Sequence, residues 1–329
     1  MKRVFFSILC FLLTVGLPLQ AAAQEKTIKL KLATVIPAKH AYNVGASEFS
    51  KRIKDATGGA VDIHVFPGGQ LGTGEREVLE GMQIGNIDLA VTATGPISGF
   101  CSSMMILDLP FLFRDCKHVD GVLDGTIGRK LLDDLEKSGL KGLAFFENGF
   151  RNFTNSARPL LKPADFKGLK FRTMENPVHL ASVRQLGAQA VPMSWGEVYT
   201  SLQTKVINGQ ENPVAIIHAY KLNEVQKYLS LTGHFYSPAP LTMSLKAFTS
   251  LKPEWQDLFI KTAIEVAAFE RKIIRDNEQK QLKDLKAWGM DIRTVDKSSF
   301  FKAMQPVYEK YTTQYPDWKA VIKKITETK

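Results

Sequence analysis

Residues 168–213 read GLKFRTMENPVHLASVRQLGAQAVPMSWGEVYTSLQTKVINGQENP, and their pattern decides the fold. In LKFRT, alternation puts Leu169 and Phe171 on one face of a strand and Lys170 and Arg172 on the other. Asn176-Pro177 is a helix start, with a side-chain cap followed by a first-turn proline. Ser194 with Glu197 has the spacing of a capping box for a second helix. The stretch thus runs strand, helix, short strand, helix, strand, and ends in the polar cluster Gln210-Glu211-Asn212. Arg172, late in the first strand, is placed as a carboxylate clamp, because a planar guanidinium offers paired donors to two oxygens. Taken alone it reads as a surface arginine in an ion pair, and it is its neighbours that favour the clamp.

The same order occurs upstream. A strand over Thr27 to Val35, a helix over Ala41 to Ala56 stopped by Gly58-Gly59, a strand over Val61 to Phe66, a helix over Glu75 to Ile84 and a strand over Ile87 to Val91 form a second β-α-β-α-β run. Such runs imply parallel strands with helical crossovers, and ligands bind past the carboxyl ends of such strands. Downstream of the first run, one helix is expected over Lys117 to Lys137 and a strand over Leu140 to Phe146. At Asn148-Gly149 the chain is expected to change domain, with Arg151 to Asn155 and Tyr228 to Tyr236 as crossing strands and Pro240 to Leu245 returning. From Pro253 to about Trp288 a single amphipathic helix carries Val266, Phe269, Leu285 and Trp288 on its stripe; roughly 54 Å long, it should run along both domains. The fold class is α/β, with two domains: 24–148 plus about 238–275, and 149–237 plus about 276–329.

A basic start at Lys2-Arg3, an apolar run from Val4 to Val15 and Ala21-Ala22-Ala23 mark residues 1–23 as a secretory signal peptide, so the mature chain is expected to be exported. The formal charge of +10 falls to +8 once Lys2 and Arg3 leave, and the basic residues are spread without a block of five, which argues against nucleic acid. Cys101 and Cys116 remain in a chain bound for an oxidising compartment; a disulfide between them and two free thiols are both open readings. The six histidines form no ligand-like cluster, so no metal is expected. There is no P-loop, dinucleotide fingerprint, nucleophile elbow or zinc-protease motif, and nothing calls for a cofactor or argues for an enzyme.

The physical reading is a cleft between two α/β domains. Arg172 would clamp an anion, Arg151 would add a second charge from a crossing strand, and Asn212 would supply amide bonds from a strand end. Trp195, on the first turn of a helix, would cover an apolar or sugar face, with core packing as the alternative.

ENGFRNFTNS, PADFKGLKFRT and GAQAVPMSWGEVYTSLQTKVINGQENP, together with FPGGQLGTGEREVLEGMQIGNIDLAV and LDLPFLFRD, resemble the solute-binding proteins of TRAP transporters, the DctP family. The likeness covers essentially the whole mature chain. It implies a two-lobed periplasmic receptor, usually a monomer, that delivers an organic acid to membrane permease subunits without ATP. The family's carboxylate arginine falls on Arg172, its second cleft arginine on Arg151, its cleft asparagine on Asn212 and its pocket aromatic on Trp195. Segments around His40 and Thr94 match ligand-lining stretches of the first domain. The likeness is greatest to relatives that take sugar acids, uronates or aldonates, with C4-dicarboxylates second. The rival readings are an ABC-type binding protein and an exported enzyme acting on sugar acids.

Overall fold

The computed structural model describes residues 27–329, so the signal segment read over 1–23 lies outside the described residues. The first run folds as β1 (Ile28–Ala33), α1 (Ala41–Ala56), β2 (Val61–Phe66), α2 (Glu75–Gln83) and β3 (Leu89–Val91). Strand β1 pairs in parallel with both β2 and β3. A short α3 (Thr94–Ile97) and a 3-10 turn (Ser102–Asp108) follow. The helix expected over Lys117 to Lys137 is instead two, α4 (Cys116–Leu123) and α5 (Thr126–Asp134). At the break α5 packs closely on the end of α4, an approach that Gly128 permits: a Cβ there would lie 1.9 Å from the Leu123 carbonyl oxygen.

Next come β4 (Leu140–Asn155), β5 (Lys170–Thr173), α6 (Pro177–Gln185), β6 (Gln189–Pro192), α7 (Trp195–Gln203) and β7 (Gly209–Pro213). Strand β5 pairs in parallel with β6 and β7, so the opening stretch repeats the topology of the first run. The chain continues through α8 (Val214–Ala219), β8 (Tyr228–Ser244), α9 (Leu245–Thr249), α10 (Pro253–Ala287), β9 (Asp291–Thr294), α11 (Lys297–Ala303), α12 (Gln305–Gln314) and α13 (Trp318–Glu327).

The two units are joined by β4 and β8, which pair antiparallel along nearly their whole length. The separate short strands expected here are therefore two long ones. Their 140s and 240s ends carry β3, and their other ends carry β7 and β9, giving the order β2-β1-β3-β8-β4-β7-β5-β6. The register slips between Glu147 and Gly149, where Gly149 takes φ +113°, a value open to glycine because it lacks Cβ. This irregularity falls where the sequence suggested a domain change.

Helix α10 spans Pro253–Ala287 as one piece. Its Phe259, Ala263 and Val266 pack in the main core, while Leu285 packs in a separate cluster with Val198, Leu202, Ile217 and Leu229. Phe269 and Trp288, expected on the stripe, are exposed; Trp288 instead stacks on the His218 ring at 4.7 Å. The C-terminal segment packs on α6 through α12, and also returns to α4, where Arg114 donates to the carbonyls of Thr326 and Thr328. Cys101, buried, and Cys116, half-buried, both stand as free thiols in the structure.

Gly209 sits between β4 and β5, and a Cβ there would lie 2.2 Å from the Thr154 carbonyl oxygen and 2.5 Å from the Phe171 ring. Neither neighbour is a flexible chain end, so overpacking has no cheap relief. Gly209→Ala should destabilise the protein by about 3 kcal/mol. Urea denaturation checks this, and an unchanged midpoint would contradict it.

Candidate functional site

The carboxyl end of β5 places Arg172 at the meeting of the two units. The guanidinium side chain is 3% exposed. Its Nε donates to the Met193 carbonyl at 2.9 Å, and its plane lies 5.5 Å from the Trp195 ring centroid, a cation–π contact that fixes its orientation. The two terminal nitrogens have no hydrogen-bond partner among the described residues, and no carboxylate forms an ion pair with the group. Burial, and then the nearby Arg151, lower Arg172 to about 10, so it stays charged at neutral pH.

Around it lies an inner pocket of about 20 Å³, lined by Val35, Ile36, Tyr42, Glu75, Asn148, Arg151, Arg172, Met174, Trp195, Asn212 and Ile216. An outer pocket of about 200 Å³ shares Glu75, Arg172, Met174 and Trp195 and adds Arg76, Pro96, Glu175 and Ser194. Polar atoms of the inner wall, the Tyr42 hydroxyl, the Asn148 Oδ1 and Arg151 Nη1, are buried without a partner among the described residues. Glu75, at the start of α2, accepts from the Ala93 amide at 2.7 Å; burial raises its carboxyl, while that hydrogen bond and the two arginines oppose the rise.

Both units close over these pockets. Tyr220 donates to the Val35 carbonyl at 2.8 Å, and Asn176 Nδ2 donates to Asp108 at 2.8 Å. At the lip, a Cβ on Gly74 would meet the Ser194 hydroxyl at 2.4 Å, and one on Gly196 would lie 3.2 Å from the Thr73 carbonyl. Ser194 accordingly makes no side-chain cap, and the expected capping box with Glu197 does not form. The Asn176 cap does form, accepting from Val178 and His179 above the first-turn Pro177.

Four of the expected residues, Arg172, Arg151, Asn212 and Trp195, therefore line one pocket. Arg151 is not a free charge: its Nε and Nη2 donate to the Glu211 carboxylate, the latter at 2.8 Å, and both groups are buried. Trp195 lies against Arg172 and, edge-on at 4.8 Å, against Tyr220. Thr94 lines neither pocket; its hydroxyl donates to Asp108 at 2.8 Å. Nor does His40, which caps α1 by accepting from the Tyr42 amide and reaches the site only through the Tyr42 ring, 4.9 Å away. Glu75, Tyr42 and Asn148 were not singled out as binding residues from sequence. Glu75 carried one signal, an acidic residue opening a helix directly after a glycine loop.

A larger cavity lies elsewhere, about 790 Å³ beside Tyr199, Gln203 and Asn208. Its charged side chains Lys205, Glu224 and Lys227 are exposed, so volume and chemistry disagree, and the chemistry points to Arg172. Among the described residues no helix is long and apolar enough to cross a membrane, and no group of His, Cys, Asp or Glu is arranged to hold a metal.

This architecture, two α/β units closing over a buried cationic pocket, is that of a two-lobed periplasmic binding protein. The chain belongs to the DctP family, the bacterial extracellular solute-binding proteins of family 7, whose profile matches residues 32–314. A solute-binding protein of Verminephrobacter eiseniae is 41% identical over 296 residues, 89% of this chain and 87% of its own. The 2,3-diketo-L-gulonate-binding periplasmic protein of Escherichia coli is 36% identical over 287 residues, 87% of each chain. A TRAP periplasmic solute-binding protein from a Polaromonas species, solved bound to D-erythronate, superposes with a TM-score of 0.89 at 40% identity, covering 92% of this chain and 99% of that one.

Burial pushes the His40 imidazole down from 6.5 to about 4. The folded ring thus resists protonation until about pH 4 while the unfolded one protonates near 6.5, so its contribution is present above 6.5 and is lost as pH falls through that window. His40→Asn keeps a capping acceptor but does not titrate. Between pH 7 and pH 5 the stability difference should move in the variant's favour by about 2 kcal/mol. Paired melting curves test this, and a difference independent of pH would contradict it.

Proposed function

We propose that this chain is the extracytoplasmic receptor of a TRAP transporter, capturing a short polyhydroxy monocarboxylate of the aldonate or uronate class and delivering it to the membrane permease subunits. The observation that carries the reading is Arg172, a buried guanidinium whose terminal nitrogens find no partner among the described residues. A buried charge is tolerated when it is paired, and a carboxylate of the ligand would pair it in two parallel hydrogen bonds. Asn212 and the Nη1 of Arg151 would bond the same end of the ligand, while Glu75, Tyr42 and Asn148 would meet its hydroxyls. Two relatives support the class, since diketogulonate and erythronate, named for them, are monocarboxylates rich in oxygen.

The domains would hinge at the Glu147–Gly149 irregularity, with residues 24–148 and 149–237 forming most of each lobe and one chain as the binding unit. Export would follow removal of residues 1–23, and relatives named as periplasmic proteins support that location. The chain acts as a carrier, not an enzyme, in this reading. A C4-dicarboxylate is the second reading, favoured by Arg76, a further cation lining the outer pocket, although its Nε is engaged by Glu80 at 3.0 Å.

A charge-assisted hydrogen bond is worth about 1.5–3 kcal/mol, so loss of the two-bond clamp should cost at least ~100-fold in affinity. In calorimetry with D-erythronate, or with whichever sugar acid gives the largest thermal shift in a panel, Arg172→Ala should lose that much without unfolding. Arg172→Lys should recover little, because an ammonium cannot reproduce the planar fork. Affinity within about threefold of wild type for Arg172→Ala would overturn the clamp.

A further inference from the structure

We propose that Tyr220 latches the closed receptor: packed against Trp195, it donates across to the Val35 carbonyl of the other unit and so slows release of the bound acid. The inference rests on the receptor reading above and names a residue outside the pockets that sets how long the ligand is held.

Tyr220 lines neither pocket. It is half-buried at the end of α8, the helix that follows β7. Asn212 on β7 and Ile216 on α8 both line the inner pocket, so one short piece of chain carries two wall residues and then this tyrosine. Lys221, next in the chain, takes φ +49°, a left-handed conformation that ends α8 at once and fixes where the Tyr220 ring leaves it. The ring lies edge-on to Trp195 at 4.8 Å, and Trp195 in turn lies 5.5 Å from the Arg172 guanidinium. Trp195 thus touches both the group that would clamp the ligand and the residue that joins the units.

The acceptor is equally well placed. The Val35 carbonyl takes the Tyr220 hydroxyl at 2.8 Å, and Val35 and Ile36 line the inner pocket from the first unit. Their loop is held rigidly. The Thr34 amide donates to the Phe66 carbonyl, the Thr34 hydroxyl to Asn43 at 2.8 Å, and Asn43 Nδ2 to the Ile36 carbonyl at 2.8 Å. Burial raises the Tyr220 phenol to about 12, so it keeps its proton and donates at neutral pH. The other side-chain bridge between the units, Asn176 to Asp108, differs in kind: Asp108 also takes Thr94, and Asn176 also caps α6. The Tyr220 bond instead joins one side-chain hydroxyl to one main-chain carbonyl beside the ligand wall, and parting the units there would break it. Tyr220 is thus a positioning residue that acts through closure and never touches the ligand.

The test is calorimetry and stopped-flow kinetics on the mature protein with D-erythronate, or with the sugar acid that gives the largest thermal shift in a panel. Tyr220→Phe removes the hydroxyl and keeps the ring against Trp195. Loss of one neutral hydrogen bond should weaken the acid about three- to tenfold. The loss should come from faster release, with the association rate within about twofold of wild type. A release rate within about twofold of wild type in Tyr220→Phe, whatever happens to association, overturns the latch and leaves the receptor reading standing, because the Arg172 clamp does not pass through Tyr220. A lower melting point of the ligand-free variant with that same unchanged release would mark the bond as a fixed part of the interface, and overturns the latch as well. Tyr220→Leu, which removes the ring too, should release the acid at least as fast as Tyr220→Phe; slower release would overturn the link to Trp195. A wild type that binds no acid of the panel would overturn the receptor reading and this inference with it.

Discussion

A guanidinium that is 3% exposed and bonded to its own protein through one nitrogen is the constraint on which the pocket depends. Desolvating a charge costs several kcal/mol even after relaxation, and in the proposed reading an arriving carboxylate would offset part of that cost. The rest of the site is arranged so that the protein itself does not supply the counter-charge. Met193 offers a carbonyl, Trp195 offers a π face, and Glu75 is occupied by a backbone amide. Arg172 is held in place by neutral groups and left unpaired where it faces the pocket.

The fold makes this arrangement possible by geometry more than by stability. Arg172 ends a parallel strand of the second unit, Arg151 and Asn212 stand near one another on the antiparallel pair β4–β7, and Glu75 opens a helix of the first unit. Strands β4 and β8 run the whole distance between the units, as does α10, and the β4–β8 register governs how these four groups converge. The slip at Glu147–Gly149 lies next to Asn148, which itself lines the pocket. A change of hinge angle would therefore be felt at the ligand wall directly, through one residue, with no relay needed.

Much of this was legible in the chain. The alternation in LKFRT, the Asn176-Pro177 cap and the polar cluster at 210–212 gave the second unit, and local physics and resemblance together named Arg172, Arg151, Asn212 and Trp195, which line its pocket. What stayed hidden was pairing across long separations. That Arg151 is taken up by Glu211, sixty residues away, depends on the β4–β7 register, which no local pattern specifies. Thr94 and His40 sat after strands where ligands gather, yet Asp108 takes the Thr94 hydroxyl and the α1 cap takes the His40 ring. The capping box at Ser194 failed for a related reason. Its hydroxyl lies against Gly74 at the lip, so a tertiary contact overrode a local preference.

The buried polar chain behind the pocket connects these observations. Asp108 accepts from Thr94 of the first unit and from Asn176 of the second, and His179 lies 3.5 Å from Asp108 and 3.9 Å from Glu211. Glu211 in turn holds Arg151, whose last nitrogen faces the ligand wall. Residues that looked like independent contacts in the sequence are thus members of one network that spans both units. Its carboxylates, Asp108 and Glu211, lie behind the pocket, and Arg172 faces it. Within this layout Asp108 is taken up by Thr94 and Asn176 and Glu211 by Arg151, while Glu75 lines the pocket beside Arg172.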